Sequence, residues 1–219
     1  MALYTLIVGT RNWSSWSLRP YVALKASGTS FETLDIRLRR SESPTTREQI
    51  LKYSPTGKVP VLRIEEDGGT LTVWDSLAIC ETIAERHPEA GLWPKDARTR
   101  AIARSYASEM HSGFANLREQ LTMDFARRRL LPELQEDTKV QIARILEAWG
   151  HALSTYRGDF LFGDLSVADC MYAPVVSRFL TYDVPVPDAI KAYMARMMAL
   201  PAMQEWGKIA QQEVDSAKA

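Results

Sequence analysis

Only two cysteines occur in the 219 residues, Cys80 and Cys170, far apart and outside any CxxC. Neither a disulfide framework nor a cysteine zinc site is indicated, and the chain fits a reducing cytoplasm. Histidine is equally scarce: His87, His111 and His151 show no spacing that suggests a Ser-His-Asp arrangement, and no metal is expected. An excess of either charge is also missing, with 27 Lys plus Arg against 27 Asp plus Glu. That balance removes the usual electrostatic drive toward nucleic acid, which comes from releasing counterions around phosphates. The basic run Arg127-Arg128-Arg129 is read as the solvated face of a helix, ahead of a polyanion site. No run approaches the about 18 apolar residues of a membrane span. The opening MALYTLIVGTRNW has neither the basic start nor the small-residue cleavage pattern of a signal peptide. Neither nucleic acid nor membrane is expected as a partner.

What is present is an ordinary globular composition, 46% hydrophobic. A chain of this length buries about 70% of its unfolded surface and folds as one large or two small domains. Leu3–Val8 is β-rich, the turn-prone GTRNWSS follows, and Trp16–Ala26 has helical spacing that stops at Ser27-Gly28. Phe31–Ile36 reads as a second strand, and Pro44 to about Tyr53 as a short helix. After Ser54-Pro55-Thr56-Gly57 come two short apolar runs, Val59–Ile64 and Thr70–Trp74, around the hairpin punctuation Glu65-Glu66-Asp67-Gly68-Gly69. Asp75 or Ser76 then caps a helix with Leu77, Ile79, Cys80, Ile83 and Ala84 along one side. Beyond Lys95 everything reads helical, as about five helices with breaks near Pro132, Arg157–Leu165, Pro185–Pro187 and Pro201. The pattern predicts an α/β domain over residues 1–86, a linker over 87–94 and an all-helical domain over 95–219.

Three hydroxyls, Ser14, Ser15 and Ser17, crowd the loop after the first strand, at the carboxyl end where α/β folds usually bind ligands. Each can simply cap backbone N–H groups. Three serines in four positions favour a catalytic role, with Ser14 first and Ser15 second. A plain N-cap explains Asp75-Ser76. Ser166-x-x-Asp169 has capping-box spacing and is assigned to folding, and Cys80 and Cys170 are read as small buried hydrophobes.

A βαβ then ββα unit of some 85 residues, followed only by helices, resembles the cytosolic glutathione transferases over essentially the whole chain. The segment Asn12–Pro20 is similar to the serine-rich SSCSWR-type motif of the zeta class, with Trp16 in place of its cysteine and Pro20-Tyr21 in place of Val-Arg. Counting fourteen residues back from the helix-ending Gly28, as in zeta and theta sequences, lands on Ser14. Ser54–Leu62 looks like the NPxGKVPxL segment, with serine for the usual asparagine, and Trp74-Asp75-Ser76 resembles the E/D-S pair.

The resemblance implies a thioredoxin-like α/β domain followed by an all-α bundle, and a serine-type member nearest the zeta or theta class. It implies glutathione as co-substrate. Val59, ahead of a cis Pro60, would pair with the cysteinyl backbone, Lys58 would lend positive charge, Asp75 would face the γ-glutamyl ammonium and Ser76 its α-carboxylate. The Ser14 hydroxyl would stabilise the thiolate for addition to a small hydrophobic or conjugated electrophile, and Trp13, Met110, His111 and Phe114 are candidates for lining that pocket. A cytoplasmic homodimer is implied as well. The alternatives are a cis–trans isomerase of the maleylacetoacetate type and a non-catalytic member that binds ligands or proteins. Serine at the position of the redox cysteine argues against deglutathionylation.

Overall fold

The computed structural model describes residues 2–38 and 44–217. Strand β1 (Leu3–Gly9), helix α1 (Ser15–Ser27) and strand β2 (Phe31–Ile36) form the opening βαβ unit, and α2 (Pro44–Leu51) follows. The hairpin β3 (Val61–Glu66) and β4 (Gly69–Trp74) then leads into α3 (Ser76–Arg86). The sheet order is β2-β1-β3-β4, with β1 parallel to β2 and the other two pairings antiparallel. Tyr4, Leu6 and Val8 of β1 face the main core, and Ile7 faces a smaller one with Ile36, Ile50 and Val61. This is the period-two alternation of a strand covered on both faces.

Beyond a 3-10 turn at Pro88–Ala90 the remaining elements are helical: α4 (Ala97–Ser112), α5 (Ala115–Gln120), α6 (Glu136–Tyr156), α7 (Val167–Thr181), α8 (Asp188–Ala199) and α9 (Pro201–Ser216). Six helices stand among the described residues where about five are expected, because α4 is interrupted early. The Gly113 N–H closes on the Glu109 carbonyl at 2.8 Å, and Phe114, with φ 61°, turns its ring into the core.

A second departure concerns Arg127-Arg128-Arg129, which lies in an irregular segment between α5 and α6 and not on a helix. Tertiary bonds hold that segment. The Phe125 and Arg129 N–H groups donate to the carbonyls of Asn12 and Thr181 at 3.1 and 2.7 Å, and the Arg129 guanidinium pairs with the buried Asp124. Helical propensity yields to such contacts.

Helix α1 is the structural hinge between the two halves. It packs against α3 beneath the sheet and against α7 and α9 of the helical part, so nine of its thirteen residues are buried. A helix buried over most of its surface has no broad polar stripe. Gly28 ends it in the left-handed conformation, as expected. Asp169 ties α7 to its surroundings: its carboxylate accepts from the N–H groups of Leu161 and Ser166 and from the hydroxyls of Ser166 and Tyr193, at 2.8 to 3.1 Å.

Candidate active site

The loop between β1 and α1 is fixed from both halves of the chain. Locally, the N–H groups of Trp13 and Ser14 donate to the Thr10 carbonyl at 3.0 and 2.8 Å, a tight turn that delivers Ser14 as the N-cap of α1. From α9, the Glu213 carboxylate accepts from the N–H groups of Arg11 and Asn12 at 2.9 Å, and Trp206 Nε1 donates to the Arg11 carbonyl at 2.9 Å. The Asn12 side chain donates to Asp124 at 2.6 Å and accepts from the Ala126 N–H at 2.9 Å.

Ser14, Ser15 and Ser17 are all buried. The Ser14 hydroxyl makes no capping bond; it donates to Ser17 Oγ at 2.7 Å, which also accepts from the Gly9 N–H at 3.2 Å. Glycine at position 9 permits this approach, since a Cβ there would stand 2.5 Å from the Leu38 side chain and 3.0 Å from Ser14 Oγ. Ser15 is the first residue of α1 and its N–H donates to the Trp13 carbonyl at 2.9 Å.

Beside the start of α1 lies a groove of about 450 Å³, lined by Trp16, Thr56, Lys58, Val59, Pro60, Trp74, Asp75 and Ser76. Its size is that of a small-ligand site. Five candidate residues from separate stretches of sequence, Lys58, Val59, Pro60, Asp75 and Ser76, meet there. Ser14 and Ser15 are not among its lining side chains, and Trp16 is. The Val59-Pro60 bond is cis. Ser54 supplies the preceding turn, its Oγ accepting from the Thr56 N–H at 3.3 Å and meeting Thr56 Oγ1 at 2.9 Å.

Asp75 caps α3 through Oδ1, which accepts from the N–H groups of Leu77 and Ala78 at 2.9 and 3.2 Å. Its backbone, φ 78° and ψ 134°, is strained for a residue with a side chain, and strain of this kind collects at binding sites. The other oxygen, Oδ2, meets His111 Nε2 from α4 at 3.3 Å. Of the further candidates, Met110 and Phe114 are buried in the core. Trp13 lines a separate cavity of about 420 Å³ between this loop, the end of β2 and α9.

Two arginines, unmarked by the sequence, flank Trp16, which lines the groove, and a third, Arg178, lies buried within their charge environment. The guanidinium of Arg19 lies 4.2 Å from the Trp16 ring centre and that of Arg118 4.9 Å, while the His111 ring meets Trp16 edge-on at 5.3 Å. Arg19 also donates to Ser76 Oγ at 3.3 Å, and Arg178 to the Leu121 carbonyl at 2.8 Å. Burial, reinforced by the charges of Arg118 and Arg178, lowers Arg19 to about 9; burial, then Arg118, lowers Arg178 to about 10. Among the described residues none of the three pairs with a carboxylate, and Arg19 Nε, Arg118 Nε and Arg178 Nη1 are buried without a partner. Cation–π contact offsets part of the cost of burying such charge. Arg118 Nη2 is further held by the carbonyls of Met110 and His111, and the remaining positive charge at Trp16 can favour an anion.

Both thiols are buried, and burial pushes Cys80 and Cys170 up from the ordinary cysteine value, away from the reactive thiolate. Among the described residues no group of His, Cys, Asp and Glu is placed to hold a metal, and no helix is long and apolar enough to cross a membrane.

Residues 13–86 match the family described as Glutathione S-transferase, N-terminal domain, and residues 132–206 match its C-terminal domain. A maleylacetoacetate isomerase of Rattus norvegicus is 30% identical over 199 residues, covering 89% of this chain and 87% of its own. A glutathione transferase homologue from Burkholderia, solved with bound glutathione, has a TM-score of 0.70 and 26% identity, over 96% of this chain and 98% of its own. A maleylacetoacetate isomerase from Anaeromyxobacter dehalogenans, solved with glutathione in its active site, has a TM-score of 0.69 and 27% identity, over 96% and 97%. With the two domains matched in order and a relative 30% identical over 89% of this sequence, the chain belongs to the glutathione S-transferase family.

Proposed function

We propose that this chain is a glutathione transferase that binds glutathione along the groove and stabilises its thiolate with the Ser14 hydroxyl. The observation that carries the reading is the convergence of the Lys58-Val59-Pro60 turn and the Asp75-Ser76 helix start on one groove at the N-terminus of α1. The glutathione-bound relatives support it. The Val59 main chain pairs with the cysteinyl residue, Asp75 Oδ2 takes the γ-glutamyl ammonium, and Ser76 with the start of α3 takes its carboxylate. The sulfur points toward the start of α1.

A glutathione thiol near pKa 8.5 is only a few per cent ionised at neutral pH, and the thiolate is the nucleophile. A hydrogen bond from a hydroxyl to an anion contributes about 1.5–3 kcal/mol. Ser14 already donates to Ser17, a neutral bond of about 0.5–1.5 kcal/mol that the thiolate must displace. The exchange nets roughly 1–1.5 kcal/mol, and the α1 N-terminus adds about 0.3–1. Together they lower the bound thiol by about 1–2 pKa units.

The test is the ultraviolet thiolate spectrum of bound glutathione across pH for the wild type, Ser14→Ala and Ser15→Ala. A depressed thiol pKa lost only in Ser14→Ala supports the reading. Glutathione that binds with an unshifted thiol would leave the non-catalytic alternative, and loss of the shift in Ser15→Ala alone would move the donor by one residue.

One observation favours the isomerase reading over general conjugation. The guanidinium groups of Arg19 and Arg118 against Trp16, neither in an ion pair with a carboxylate, suit an electrophile that carries carboxylates on a conjugated chain, as a maleylacetoacetate-type substrate does. In that reaction the thiolate adds to the double bond, the new single bond rotates, and the thiolate leaves. The assay is loss of the cis-enone absorbance with no net consumption of glutathione.

A further inference from the structure

The two oxygens of Asp75 are already divided. Oδ1 accepts from two backbone N–H groups of α3, which leaves Oδ2 to face outward, and His111 Nε2 sits 3.3 Å from it. The γ-glutamyl ammonium, on the proposed glutathione reading, seeks the same oxygen. We propose that His111 and glutathione compete for Asp75 Oδ2, so that the protonated imidazole closes the γ-glutamyl end of the groove and the neutral one admits the ligand. The inference rests on the glutathione reading and adds a specificity residue to it.

Every charged group facing His111 bears on the balance. Asp75 at the start of α3 attracts a proton to the ring; Arg19 from α1 and Arg118 from α5 repel it, and Trp16 of α1 covers one edge. Nδ1 is buried with no partner. In the neutral ring with its hydrogen on Nε2, Nδ1 is an orphan acceptor; in the imidazolium it becomes an orphan cationic donor, which costs more. Burial first, then the two arginines, hold the imidazole below its ordinary value. A neutral Nε2–H can share Oδ2 with an ammonium, whereas an imidazolium would place two cations on one oxygen.

The probe is S-methylglutathione, which keeps the ammonium and lacks the ionisable thiol, titrated by calorimetry between about pH 4.5 and 7.5. The wild type is expected to bind more tightly as pH rises toward the lowered histidine value, by up to about tenfold per unit below it and with release of a proton, and to level off above about pH 6.5. His111→Asn and His111→Phe should bind with little pH dependence. The wild type should lose the slope toward the desamino analogue, which has no ammonium, and this arm needs no variant. An equal slope in wild type and both variants, or an undiminished slope with the desamino analogue, overturns the competition. Absence of binding at every pH in every protein would sink the glutathione reading itself.

Discussion

The Ser14 hydroxyl donates to the Ser17 hydroxyl at 2.7 Å, so the serine at the head of α1 has an acceptor before any ligand arrives. Ser17 in turn holds the N–H of Gly9 at the end of β1. Ser17→Ala therefore has two expected effects of opposite value. The buried Gly9 N–H loses its partner, which destabilises the fold by about 1–3 kcal/mol in urea titration. Ser14 loses a competitor for its proton, and the bound thiol falls by up to about one further pKa unit. A rise in the thiol pKa would instead mean that Ser17 is needed to aim Ser14.

Asp75 serves helix α3 and the groove with different oxygens. Asn caps as well as Asp, so Asp75→Asn should leave the melting temperature nearly unchanged while weakening glutathione about tenfold, the difference between a charged and a neutral acceptor. Asp75→Ala should add a loss of about 1 kcal/mol of stability from the missing cap. Equal affinity in Asp75→Asn and wild type would remove Asp75 from the binding site.

The guanidinium of Arg118 is half-buried against Trp16 without a counter-ion. In Arg118→Met, kcat/KM should fall about 30-fold for an electrophile bearing a carboxylate, about 2 kcal/mol, and change little for a neutral one. Parallel losses on both substrates would show that the arginine only supports the fold.

Asp169 offers acceptors to four donors at once. An amide at that position turns its NH₂ toward a backbone N–H that can only donate, whichever way it is placed, so Asp169→Asn should cost about 3 kcal/mol in denaturant unfolding. Glutathione affinity of the folded protein should not change, since the residue lies in the helical part.

The ligand-free protein should lose stability in mild acid. His111 is held below its ordinary value of about 6.5, so the unfolded chain binds the proton more readily than the native one. This contribution is full above about pH 6.5 and is lost as pH falls from there toward the lower native value. Urea midpoints at pH 5.5 and 7.5 should converge in His111→Phe relative to wild type.

By itself the sequence determined the order of elements, the turn at Ser54–Gly57 and the stop at Gly28, because turns, caps and strand alternation are local signals. It also carried the family, through short motifs at fixed spacing. Only the tertiary structure decided what surrounds them. The loop bearing Ser14 is held by Glu213, Trp206 and Asp124, each more than a hundred residues away. Arg127-Arg128-Arg129 became a loop because the carbonyls of Asn12 and Thr181 take the backbone N–H groups of Phe125 and Arg129. Arg19, Arg118 and Arg178 come from three helices whose spacing in sequence says nothing of their meeting, and Asp75 and His111 join only where α3 and α4 pack. Local signals fix which side chains an element presents, and burial of α1 between the two halves fixes which of them share a charge environment, a long-range consequence that no window of sequence contains.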